Sequence, residues 1–231
     1  MQCQFDNNSN GHGWDWGSGE RGKGPAVERE LQLDDFTGIS LNVSADVTLK
    51  EGAQNVVVSG EENIIDLLST NVENGVWVIK FTERRVRNYR KLQITITIPT
   101  LDKAKINGSC DIIGQDAFSG SSRLETAING SGNIDLEVNT GRASASINGS
   151  GDIRLRGSAQ EFSIDINGSG DVEATGLEAM TVSVHTNGSG NAEVNATESL
   201  EVRISGSGDV RYRGNPRVNS RTSGSGSLQS I

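Results

Sequence analysis

The chain has 231 residues, of which 29 are Gly, 3 are Pro and only 4% are aromatic. With 21 basic and 30 acidic residues its formal net charge is −9, so the cationic footprint that non-specific nucleic-acid binding needs is missing. Collagen is excluded because Gly does not fall at every third position, a helical membrane span because no apolar run approaches ~18 residues, and a helical bundle because so much Gly is costly inside helices.

Residues 1–25 (MQCQFDNNSNGHGWDWGSGERGKGP) lack periodicity and are crowded with Gly, Asn and Ser. They read as a disordered tether. They contain no apolar h-region, so no signal peptide is visible, and the chain is expected to be either cytosolic or the mature form of an exported protein. Cys3 stands ahead of the polar tether, where a lipid-anchored cysteine would be, although no lipobox precedes it. Trp14 and Trp16 are expected to be exposed tail residues, with docking onto the body or a partner as the alternative. Two cysteines, Cys3 and Cys110, make neither a disulfide framework nor a zinc site.

Residues 26–105 are β-rich. Val56–Val58, Val76–Ile79 and Leu92–Ile98 are strand-like, and EENIIDLLS at 61–69 is expected to form one short helix. Arg84, Arg85, Arg87, Arg90 and Lys91 form the one basic cluster, read as a solvated loop or edge strand carrying protective charges, with an anionic-ligand site as the alternative.

From 106 to 231 a motif Asn-Gly-Ser-Gly-Asp/Asn-apolar recurs. Copies begin at Asn107, Asn129, Asn148, Asn167, Asn187, Ser205 and Ser223, at intervals of 22, 19, 19, 20, 18 and 18 residues. Alternating apolar residues precede each copy, as in Phe162, Ile164 and Ile166, and follow it, as in Ile153 and Leu155. Period-two patterning means short strands with one buried face, and the Gly-rich motif between them is a sharp corner. Asn-Gly between alternating runs also signals hairpins, but a meander would vary its turns. Identical corners at one period make a stack in which each coil buries its apolar face against its neighbours. The expected fold is therefore all-β, a single-stranded parallel β-helix (β-solenoid) with coils of about 18–22 residues and seven NGSGD-type repeats. At ~4.8 Å per coil, seven coils span roughly 30 Å.

Residues 41–49 (LNVSADVTL) match 166–174 (INGSGDVEA) with the glycines replaced. Residues 26–105 are accordingly expected to supply degenerate early coils and a cap, with a separate β-sandwich as the alternative.

The GSGD-apolar repeats after a β-rich opening, above all NGSGDI at 148–153 and NGSGDV at 167–172, resemble those of the head GIN domain family of autotransporter-like adhesins. The resemblance runs from about Phe36 onward. It implies a parallel β-helix in the envelope of Gram-negative bacteria, periplasmic or on the outer surface, in secreted or lipid-anchored proteins. It brings no catalytic residues. The chain departs from the pattern at Cys110, where the second Gly is lost, and at Ser227, where the acid is lost.

Stacking brings two polar columns into register. One holds Asn107, Asn129, Asn148, Asn167 and Asn187, whose amides can hydrogen-bond along the axis; these Asn-Gly-Ser tripeptides are also sequons, read as a by-product of the turn. The other holds Asp111, Asn133, Asp152, Asp171, Asn191, Asp209 and Ser227, expected to be a structural turn ladder. In that column only Asp152 and Asp171 are expected as adjacent acids, the one place where calcium is the alternative. No other metal and no cofactor is expected. His12 lies in the tail, and His185 lacks the oriented partners a general base needs. Thr does not recur in register, which excludes an ice-binding array. Arg211, Arg213, Arg217 and Arg221 crowd the last coils, where they are expected to repel unwanted stacking at an open end, with partner contact or self-association through that end as the alternative.

These readings converge on a non-enzymatic envelope adhesin that binds a glycan or an envelope protein through repetitive polar faces. A scaffold docking or self-associating through the open end is the second reading. A polysaccharide-cleaving enzyme is the third, weakened by coils too short to build a groove from long excursions. Nucleic acid is not an expected partner, and a membrane is one only through Cys3.

Overall fold

A computed structural model describes the chain at residues 19–83 and 85–231. Cys3, His12, Trp14, Trp16 and Arg84 lie outside the described residues.

The repeats form a β-solenoid. Four long strands, Asn133–Gly149, Asp152–Gly168, Val172–Gly188 and Ala192–Gly206, each follow one coil. Each pairs in parallel with the next, so that Asn148 faces Asn167 and Asn167 faces Asn187. Lys103–Gly108, Asp111–Phe118 and Arg123–Gly130 extend the ladders on one side. Val210–Arg213, Arg217–Gly224 and Leu228–Ser230 extend them on the other. Ile, Val, Leu and Ala fill the interior, as at Ile153, Leu155, Ile164 and Ile166. Burial of each such side chain contributes roughly 1.5–3 kcal/mol.

The corner explains the motif. Gly168 has φ +137°, a region glycine enters without steric cost. A Cβ there would also stand 2.2 Å from the carbonyl oxygen of Gly149 in the neighbouring coil. That oxygen accepts the Ser169 amide at 2.9 Å, so the corners stack backbone on backbone with no room for a side chain.

The early coils join the same 17-stranded sheet. Gly38–Leu41 and Ala45–Glu51 make one coil, with Leu41 facing Ile106 and Asp46 facing Asp111. Its other side pairs with Val76–Ile79 and Leu92–Ile98. The coil at 38–51 therefore stands between those at 76–98 and 103–118, and stacking order departs from chain order.

Antiparallel strands close this end. Asn55–Glu61 pairs with Leu92–Ile98, and Ala26–Glu30 pairs with Asn55–Glu61. The helix is shorter than the sequence suggests: only Glu62–Ile65 is helical, because Ile64 and Ile65 turn into the core and the chain then bends away. Trp77 is buried, its indole donating to the Ser69 carbonyl at 2.9 Å and its ring 5.9 Å from that of Phe36. Glu20–Arg21, inside the segment expected to be a tether, forms a short strand parallel to Val86–Arg87.

Candidate functional site

Alternation along each coil points every second side chain outward, and the register stacks equivalent positions into columns. The Asn column begins earlier than the motif copies. Asn107 donates its amide to Asn42 at 2.7 Å, Asn129 to Asn107 at 2.9 Å and Asn148 to Asn129 at 3.1 Å. Asn167 and Asn187 continue the column in register but make no such amide bond among the described residues. Each bonded amide uses groups that would otherwise compete for water at the corner.

The acid column is a chain of side chains accepting from the next coil. The Asp171 amide donates to Asp152 at 3.0 Å, Asn191 to Asp171 at 2.7 Å, Asp209 to Asn191 at 2.9 Å and Ser227 to Asp209 at 2.8 Å. Asn133 donates its side-chain amide to Asp111 at 2.7 Å. The Ser227 hydroxyl and amide both favour the ionised form of Asp209 and lower its pKa. The expectation that only Asp152 and Asp171 are adjacent acids is corrected: Asp46 faces Asp111 as well, because 38–51 stacks directly on 103–118. Lys91 lies over that second pair, bonded to Asp46 and 3.9 Å from Asp111. The hydrogen bond to Asp46 raises the lysine's pKa. Among the described residues no group of three or more His, Cys, Asp or Glu is placed to hold a metal ion.

The strands after the corner carry an ion-pair ladder. Arg156 meets Asp135 at 2.7 Å, Arg154 bridges Asp135 and Glu173, and Arg211 meets Glu193 at 2.9 Å. That face is largely self-neutralised. Arg213, Arg217 and Arg221 are exposed and make no ion pair among the described residues. In the basic cluster, Arg90 reaches the buried Glu61 carboxylate, which also accepts the Arg90 amide at 3.2 Å. Cys110 is buried with its thiol 2.8 Å from the Val43 carbonyl. His185 is exposed, 3.7 Å from Asp165, with no nucleophile bonded to it among the described residues.

The strands before the corner carry a groove of about 480 Å³ that crosses four coils. Arg123, Arg142, Glu161 and Thr181 occupy one column along it, and Glu125, Ser144, Ser163 and Ser183 the next. Leu124, Ala143 and Phe162 lie beneath, no more than 4% exposed. The volume lies within the ~300–1,000 Å³ of ligand sites. None of these residues stands out from the motif alone. The available signal was their recurrence: Arg123 and Arg142 are 19 apart, as are Ser144 and Ser163, and Ser183 follows 20 later.

Comparison with known proteins fixes the family. The pattern described as "Putative auto-transporter adhesin, head GIN domain" matches residues 35–216. The chain belongs to this family. Among solved structures, a putative adhesin from Bacteroides fragilis is similar, with 25% identity and a TM-score of 0.85 over 92% of this chain and 100% of that one. A putative lipid binding protein from Parabacteroides distasonis is 26% identical, with a TM-score of 0.77 over 93% of this chain and 100% of that one. A putative adhesin from the same species, 22% identical with a TM-score of 0.72 over 93% and 100% of the two chains, shares the fold. No curated protein matches. Head GIN membership and the β-solenoid both agree with the sequence pattern.

Proposed function

We propose that this head GIN protein is a non-enzymatic, adhesin-like component of the cell envelope that binds a glycan or protein partner through its polar solenoid faces. The groove across four coils carries the reading: a rigid, repeating trough suits an extended, repeating ligand. The family description and the Bacteroides fragilis neighbour support the adhesin part. His185 speaks against hydrolysis, since its partner Asp165 is exposed and 3.7 Å away and general-base work needs an oriented nucleophile.

An envelope or extracellular location in a Gram-negative bacterium belongs to the same reading, supported by relatives from Bacteroides and Parabacteroides. Cys3 is the position at which a lipid would hold the chain, and the mass of the native protein reads it.

Binding of the purified chain to a broad glycan panel, once with calcium and once with EDTA, tests the proposal. Binding in both is expected. Binding only with calcium would move the site to the column around Asp152 and Asp171. Binding in neither would contradict the glycan form and favour the scaffold reading. One observation supports that second reading: all eight residues of Arg217–Gly224 are exposed, and among the described residues this strand pairs only with Ala192–Gly206. Light scattering that shows a monomer at every concentration would remove self-association through this end.

A further inference from the structure

We propose that the groove selects an acidic glycan, holding a sugar carboxylate at Arg123 and ring hydroxyls along Ser144, Ser163 and Ser183. The inference rests on the reading of this face as a binding surface and names its ligand class.

Charge at one end of the groove is uncompensated. The register sets Arg123 beside Arg142 and Arg142 beside Glu161. Glu161 takes Arg142 at 2.9 Å, and Lys103 takes Glu125 at 3.0 Å. Arg123 makes no ion pair among the described residues and has a second guanidinium as its in-register neighbour. Like charges one strand apart, ~4.8 Å, repel each other. A carboxylate seated on Arg123 removes that repulsion and matches the planar fork of the guanidinium with two parallel hydrogen bonds.

The rest of the groove is built of hydroxyls. Ser163 and Ser183 make no side-chain hydrogen bond among the described residues, and the Ser144 hydroxyl makes only a long one, 3.4 Å to the Leu124 carbonyl. One serine per coil therefore offers a donor and an acceptor at a regular interval. A polyhydroxylated chain uses such a row.

A peptide does not fit as well. The backbone of these coils is paired in parallel on both sides, so an extended peptide cannot add to it as a strand, the usual source of its affinity. A neutral glycan also fits less well. Phe162 is only 2% exposed and presents no open ring for a sugar's apolar face, so charge must supply the binding energy.

The test is calorimetric titration of the whole chain, in EDTA, with polygalacturonate, dextran and polyglutamate. Polygalacturonate is expected to bind, more weakly as salt rises, and Arg123→Gln to weaken it about tenfold or more. Ser207→Ala, at an exposed corner away from the groove lining, is expected to leave it unchanged, and both variants to keep the wild-type circular dichroism and melting temperature. Dextran binding as tightly as polygalacturonate, or Arg123→Gln binding normally, would overturn the inference and leave the broader glycan reading standing. Polyglutamate binding equally well would overturn the glycan assignment. Binding of nothing here or on the broad panel would overturn both.

Discussion

Replacing Gly168 with Ala strikes the stacked corner on which the solenoid rests. The residue sits at φ +137°, and an added Cβ would lie 2.2 Å from the Gly149 carbonyl oxygen and 3.1 Å from the Gly149 carbonyl carbon. Ordinary contact distances require the two corners to part by about 1 Å. The Gly149 oxygen accepts amides from Ser169 at 2.9 Å and Gly170 at 3.2 Å, and a shift of that size takes both beyond useful bonding distance. Backbone strain of ~1–3 kcal/mol and two bonds worth ~0.5–1.5 kcal/mol each give a loss of about 2–6 kcal/mol. A domain of total stability ~5–15 kcal/mol feels that strongly. Because each coil contacts only its neighbours, the damage is expected to appear first as proteolytic cleavage at 149–151 and 168–170. Urea unfolding followed by circular dichroism measures the loss, with Ser163→Ala as a control expected within about 0.5 kcal/mol of wild type. A loss under about 1 kcal/mol with both corners uncut would refute the stacking argument.

Thr186 is 1% exposed in a core column that otherwise reads Ile166 and Ile204, and its hydroxyl lacks a partner among the described residues. Thr186→Val is therefore expected to stabilise by about 1 kcal/mol; a melting temperature at or below wild type would count against it. Lys91→Met leaves Asp46 and Asp111 facing each other; because all three side chains are more than a third exposed, it is expected to cost about 0.5–1 kcal/mol at low salt, less at high salt, as read by urea midpoints at two ionic strengths. The raised pKa of Lys91 means that its contribution is fully present below about 10.5, the usual lysine value, and is lost as pH rises through the folded-state value. Asp209 runs the other way. Its pKa is lowered from 3.8 by Ser227, so its contribution is present above that pH and is lost as pH falls through the folded-state value. Asp209→Asn is expected to flatten the acid limb of a urea-midpoint series, and an unchanged slope would argue against the Ser227 contacts.

The array was legible because its corner admits almost no alternative residue: a carbonyl lying where a Cβ would be, as at Gly149 and Gly168, writes glycine into each motif copy from Asn129 onward. The coil at 38–51 was legible despite lacking those glycines, because Asn42 and Asp46 keep their column positions. Its place in the stack was not. Periodicity identifies equivalent positions but does not say which coil becomes the neighbour, and here 76–98 folds back to the far side of 38–51. The second pair of facing acids, Asp46 and Asp111, was hidden for the same reason. The groove was hidden for another. Arg123 and Ser163 lie 40 residues apart and come to line one groove only through two steps of register, and nothing at a single outward position distinguishes a ligand contact from a solvated side chain.

Whether the groove is where a glycan binds is read most directly by a backbone-amide chemical-shift map of the chain with the tightest-binding glycan of the panel. The largest changes are expected at Arg123, Arg142, Ser144, Ser163 and Ser183, across four successive coils. Changes confined to the Asp152 and Asp171 column, or to Arg217–Gly224, would contradict that placement.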